Sequence, residues 1–259
     1  FINPTPFMSH ISYNPILAFA IYLVCHEIFL NKKISQTKFL WFIFFAITMS
    51  INMFITGGRA GQVMYFAVIG ILILQYFDTN RIKAIFAILV LIPTIFTAAY
   101  QFSPLFHDRV NSAINDIVIY DEDRATSVGK RITFAINAFQ TAQNNLLIGV
   151  GTGDFPDEYK KINQINSPEL RNIENPHNMY SLILGQLGTI GIFSLLSIFY
   201  YQIKLSFQSS NKFIRDTGIA LPLLFLLIMW SESYLLGHYT TLMFVFFSSF
   251  LYRDFEKDQ

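Results

Sequence analysis

Three short stretches of this 259-residue chain combine residue types that can hold an anion or move a proton. Gly57-Gly58-Arg59-Ala60-Gly61 sets one guanidinium among glycines, between two long apolar runs. Glycine permits a tight turn and lets a ligand approach the backbone, while a guanidinium stays charged anywhere and grips phosphate oxygens with two donors. Arg59 falls at the start of the next helix, where free amides and the dipole also favour an anion. The competing reading is an arginine snorkelling to lipid headgroups. Lys130-Arg131, after Gly129, is a second cationic pair; alone it reads as solvated surface charge, and it gains meaning only if folding brings it near Arg59. In the third stretch, Asn175-Pro176-His177-Asn178-Met179-Tyr180, Asn175 suits an N-cap and Pro176 the first helical position. His177 then falls in the first turn of a helix, whose N-terminus disfavours imidazolium and keeps the ring able to accept a proton. The competing reading is a polar anchor at a membrane surface.

Other groups are secondary. Glu232 and His238 are ionisable groups at the outer end of an apolar run, an expensive place for them. Gly185-Gln186-Leu187-Gly188-Thr189-Ile190-Gly191 reads as small residues that let helices pack closely. Asp121-Glu122-Asp123 has a spacing that can hold a hard cation, but beside Arg124 it reads better as a solvated charge run. The single cysteine, Cys25, excludes a disulfide framework, and there is no zinc pattern, phosphate-binding P-loop or serine-nucleophile elbow. No metal and no cofactor are expected.

The elements that must position these residues are membrane helices. The chain is 53% hydrophobic and only 14% charged, against about a quarter charged in soluble domains, which excludes an ordinary globular or disordered protein. A net charge of +1 argues against a nucleic-acid footprint. The expected class is all-α: a polytopic integral membrane protein with about seven transmembrane helices and a large, partly helical extracytoplasmic loop. Candidate spans are Pro15–Leu30, Phe39–Thr56, Gly61–Phe77, Ile82–Tyr100, Met179–Ile203, Ile219–Leu236 and Tyr239–Tyr252. The organisation predicted is transmembrane helices over 1–100, an outer loop over 101–177, and further helices with a short cytoplasmic tail over 178–259. Lysines and arginines concentrate in the short loops Asn31–Lys38, Asp78–Lys83 and Lys204–Asp216, which are therefore cytoplasmic, so the Arg59 turn and the long loop face outward. Within that loop, Arg131–Asn144 has the apolar periodicity of a helix, Gly149–Gly153 breaks the chain, and Asn163–Pro176 reads as polar linker. The chain opens on Phe1-Ile2-Asn3 with no signal peptide, so earlier membrane segments are expected to precede it.

Three pieces, in this order and spacing, carry a resemblance: Gly58-Arg59-Ala60-Gly61 opening a span; Arg131 followed by Leu147-Ile148-Gly149-Val150-Gly151-Thr152-Gly153-Asp154-Phe155; and His177-Asn178-Met179-Tyr180 leading to Leu187-Gly188-Thr189-Ile190-Gly191. From about Phe39 to Leu251 the chain resembles the O-antigen ligase and polymerase superfamily of bacterial envelope proteins. The resemblance implies glycan transfer from an undecaprenyl-diphosphate carrier to a hydroxyl acceptor, without metal or nucleotide sugar, at the periplasmic face of the bacterial inner membrane. It maps the essential residues to Arg59, Arg131 and His177; Lys130, Asn178, Tyr180, Glu232 and His238 are the accompanying substrate-binding candidates. Its expected partners are the lipid-linked donor, a glycan or lipid A–core acceptor and the bilayer, with no nucleic acid. Residues and resemblance meet in one mechanism, in which the arginines neutralise the departing diphosphate and His177 takes the acceptor's proton. Ligase, polymerase and protein O-glycosylating relative share these motifs. The alternative class is a secondary transporter or lipid-linked sugar flippase, but transporters gather ionisable residues near the bilayer midplane, whereas these gather at the outer face.

Overall fold

A computed structural model describes residues 7–31, 33–143 and 145–253, and no strand occurs among them. The helices are α1 (His10–Leu30), α2 (Gln36–Ile55), α3 (Arg59–Tyr76), α4 (Arg81–Phe102), α5 (Pro104–Val118), α6 (Ser127–Gln143), α7 (Phe155–Asn166), α8 (Met179–Ser206), α9 (Lys212–Ile228) and α10 (His238–Leu251). Five of them, α1 to α4 and α8, are long and apolar enough to cross a membrane. The expected sixth and seventh spans are helical but shorter. α9 stops at Ile228, eight residues before the predicted Leu236, and α10 has 14 residues. Glu232 consequently stands in a turn segment, not on a helix end.

The described residues fall into two compact units, one within 1–109, 203–224 and 238–259, the other within 110–202 and 225–237. In the first, α1 packs against α3 through small contacts. A Cβ on Gly61 would stand 2.1 Å from the Asn14 Cβ, and one on Gly58 would stand 2.5 Å from Asn14 Nδ2. Behind them Ala18, Tyr22, Met64 and Val68 are fully or nearly fully buried. α2 and α4 bury only Met53 and Ala84 respectively, so their apolar surfaces face outward, as helices solvated by lipid do.

The second unit is built on α6 and α7. Phe134, Ala138, Phe155, Tyr159, Leu170, Ile173 and Leu182 form its core. α6 begins four residues before the predicted Arg131. The predicted polar linker opens with the last residues of α7, and its Leu170 and Ile173 are buried, so it is packed structure. Under this core α8 is broken. Gly188 has φ 63° and ψ −159°, and the freed backbone groups pair with residues 146–151. The amides of Val150 and Gly151 donate to the carbonyls of Gly185 and Gln186 (both 2.9 Å), and those of Thr189 and Ile190 donate to Leu146 and Leu147 (2.7 and 3.2 Å). An apolar helix is interrupted without cost only when its released donors and acceptors find protein partners, and this loop supplies them. Gly188 and Gly149 therefore serve a backbone crossing. A Cβ on Gly188 would lie 2.4 Å from the Leu147 carbonyl, and one on Gly149 would lie 2.5 Å from that of Gln186. Gly185 does fit the predicted close packing, because a Cβ there would meet the Phe155 ring at 2.4 Å.

Candidate functional site

His177 precedes α8 and does not lie in its first turn. Its backbone is left-handed, with φ 54°, the one positive value at a non-glycine among the described residues. Such a conformation costs free energy and persists where its surroundings impose it. Here Asn175 Oδ1 accepts the His177 amide (2.9 Å) and the Ser233 hydroxyl (2.8 Å), which ties the histidine turn to the 229–237 segment. The helix cap falls to Asn178, whose Oδ1 accepts from the Ser181 amide at 3.0 Å. The predicted cap was therefore placed three residues early.

This turn aims the imidazole at a carboxylate. His177 Nδ1 lies 2.8 Å from Glu232 Oε2 and 2.9 Å from Oε1. Burial acts to raise the Glu232 pKa. The hydrogen bonds from His177 and the Ser233 amide, together with the charges of His177 and Arg131, outweigh it and hold the group below its ordinary value. An ionised Glu232 can only accept, so Nδ1 carries the proton and Nε2 of a neutral ring is left with its lone pair. Phe134 flanks the imidazole with centroids 6.4 Å apart. The Glu232 side chain is 13% exposed and that of His177 33%, so the pair has a buried end and an open one.

Arg131, half-buried on α6, is close enough for its charge to act on Glu232. Three predicted residues, Arg131, His177 and Glu232, thus meet in one unit. Lys130 beside them is exposed. Asn178 Nδ2 donates to the Trp230 carbonyl (3.0 Å) and the Tyr180 hydroxyl to that of Leu226 (2.6 Å), so both bind the chain itself. Their effect is to fix α8 against the end of α9.

Arg59 and His238 belong to the other unit. Arg59 opens α3, as predicted, with Gly58 as the cap residue, and is half-buried; His238 is the exposed first residue of α10. The turn before Arg59 is pinned by Asn14, whose Oδ1 accepts from Thr56 (2.9 Å) and whose Nδ2 donates to the Gly58 carbonyl (3.4 Å). The glycines, predicted to admit a ligand, instead admit a neighbouring helix at Gly58 and Gly61. Asn14 is the residue the sequence reading missed, and its one signal was an amide inside an apolar span.

Apolar helices with outward-facing hydrophobic surface, and a histidine–carboxylate pair flanked by arginine at the mouth of one of them, define a multi-pass membrane protein with acid–base potential. The sequence profile of the O-antigen ligase family matches residues 44–196, more than half of the chain, and the chain belongs to that family. The matched region contains Arg59, Arg131 and His177 but not Glu232. Membership brings ligase- or polymerase-type transfer of lipid-linked glycan at a membrane. Comparison with curated proteins returns no match.

Proposed function

We propose that this protein transfers a glycan from an undecaprenyl-diphosphate carrier to a hydroxyl acceptor at the outer face of a bacterial inner membrane, with inversion at the anomeric carbon. The observation that carries the reading is the His177–Glu232 pair. Nε2 of His177 takes the acceptor's hydroxyl proton as that oxygen forms its bond to the anomeric carbon. The bond from this carbon to the diphosphate oxygen breaks, and the electron pair leaves with the carrier. The negative charge that develops there is met by guanidinium groups, a role assigned to Arg131 and, by its place in the family motif, to Arg59. Glu232 positions the ring and balances the imidazolium it becomes. All seven apolar segments cross the membrane in this reading, the two short ones at the thin limit of a span.

The test is surface polysaccharide from a deletion strain carrying the full-length gene or its His177→Ala form, resolved as a gel ladder. Loss of the ladder at normal expression is the expected result; an unchanged ladder overturns the general base. Single repeat units on the lipid core identify a polymerase, whereas bare core with carrier-linked polymer identifies a ligase. The transporter reading has one discriminating outcome, retention of the ladder by every charge-removing variant.

A further inference from the structure

In the second unit, the loop that pairs with the break in α8 turns its side chains outward. Leu146, Leu147 and Ile148 are exposed, and so are Leu187, Ile190 and Phe193 on the stretch of α8 beside them, each between 42 and 72%. The bonds from the Thr189 and Ile190 amides to the Leu146 and Leu147 carbonyls join the two sets into one apolar surface. No charged residue occurs between Arg131 and Asp154, so nothing in this stretch holds the surface in water by charge. The backbone is prepared for the same environment. The carbonyls of Leu146 and Leu147 and the amides of Gly149, Val150 and Gly151 all meet backbone partners, Gly149 through the Asn145 carbonyl (2.8 Å). Hydrocarbon demands such pairing of non-helical backbone, whereas water would satisfy these groups unaided.

The depth of this loop follows from the length of α8. Tyr200 and Tyr201, both exposed, and Lys204 in the last turn have the character of a membrane-interface belt. Gly188 precedes Tyr201 by 13 residues, a rise of at most about 20 Å, which tilt or kinking only shortens. The hydrocarbon layer is about 30 Å thick, so the level of Gly188, and with it the loop bonded there, falls inside that layer.

We propose that Leu146, Leu147 and Ile148 form a re-entrant tip sunk among the lipid acyl chains of the leaflet on the His177 side. Its partner is bilayer hydrocarbon, continuous with the lipid-facing side of α8. Residues 110–177 are then anchored in the membrane at a second point besides their covalent join to α8. Insertion does not depend on the glycan-transfer reading; its consequence does, since under that reading the anchor fixes His177 at the level of the lipid headgroups, where a membrane-borne diphosphate lies.

Full-length protein with a Cys25→Ala background is given one nitroxide label at a time, through Leu147→Cys, Ile148→Cys, Phe193→Cys or Glu169→Cys, all at exposed positions, and is reconstituted in phosphatidylcholine bilayers. Oxygen, which concentrates in hydrocarbon, and a water-soluble nickel chelate compete to relax the label. At 147 and 148, as at 193, nickel relaxation is lost and oxygen dominates, whereas at 169 nickel dominates. Nickel relaxation at 147 and 148 equal to that at 169 overturns the proposal, because the tip then stands in water. Loss of both collisions overturns it too, because protein then covers the tip. Leu147→Arg lowers the Tm in the bilayer by several degrees and Glu169→Arg does not, since only the first places a charge in hydrocarbon; equal Tm values overturn the proposal as well. None of these measurements requires turnover. A tip that inserts in a protein that transfers no glycan therefore overturns the transfer reading alone.

Discussion

Glu232 reaches across 55 residues of sequence to place a carboxylate oxygen 2.8 Å from Nδ1 of His177. The bond decides which nitrogen of the ring is free, and it does so from a segment outside the family match. Glu232→Gln preserves shape but removes the charge and lets the amide donate, which permits the wrong tautomer. Its kcat should fall between about ten- and a thousandfold, less than for His177→Ala, with little change in KM for the donor. Partial recovery in Glu232→Asp is the readout that separates positioning from mere packing.

The same carboxylate links stability to pH. Its folded pKa lies below its unfolded value, so its contribution is complete above the ordinary glutamate range and is lost as pH falls through the depressed folded value. Thermal unfolding of wild type and Glu232→Gln should differ most near neutrality and begin to converge as the pH falls below the ordinary glutamate range, about 4.3. Parallel curves down to pH 3 would remove this ion pair from the account.

Arg131 is expected to act in two ways. Arg131→Gln should lower turnover by about a hundredfold or more, as loss of one preorganised charge does. It should also raise the Glu232 pKa towards its ordinary value, visible as an earlier loss of stability on acidification. Arg131→Lys should spare the second effect and only part of the first, because a point charge cannot make the two-donor grip.

Gly188→Ala tests the break in α8. A side chain there combines a left-handed backbone with a 2.4 Å approach to the Leu147 carbonyl, so the destabilisation should exceed the 1–2 kcal/mol or so of conformational strain alone. A drop of several degrees in Tm is the expected outcome, and an unchanged Tm would contradict the crossing described here.

Gly61→Ala should act through α1. The added carbon falls on Asn14, whose amide holds the turn before Arg59, so overpacking of about 1–3 kcal/mol should come with reduced transfer. Asn14→Ala should not relieve it, since the Asn14 Cβ is itself the atom struck.

What was legible in the sequence was local. Arg59 at the head of α3 could be read because glycine, an apolar run and a cationic group adjoin in the chain. The five long spans follow from length and hydropathy alone. The reason for Gly58 and Gly61 was hidden because their neighbour, Asn14, lies more than forty residues away. His177 was misplaced by a strong cap signal, Asn175-Pro176, that the fold uses for a turn ahead of the helix. The break at Gly188 has no local signature either, since the hydrogen bonds that make it tolerable come from residues 146–151. The end of α9 was overrun because Tyr234-Leu235-Leu236 continue its apolar pattern past the polar Ser231-Glu232-Ser233.

The pairing of residues 146–151 with 185–190 bears on how such proteins can be recombined. Residues 110–177 look like an exchangeable cassette that ends where α8 begins at Met179, and grafting them from a relative would be the obvious design. Its true seam lies about two to three turns into α8, because four backbone bonds stitch the cassette to the inside of that helix. Chimeras cut at residue 177 should express poorly, whereas those carrying residues through 191 should assemble. Whatever specificity residues 110–177 carry therefore depends on the part of α8 to which they are bonded.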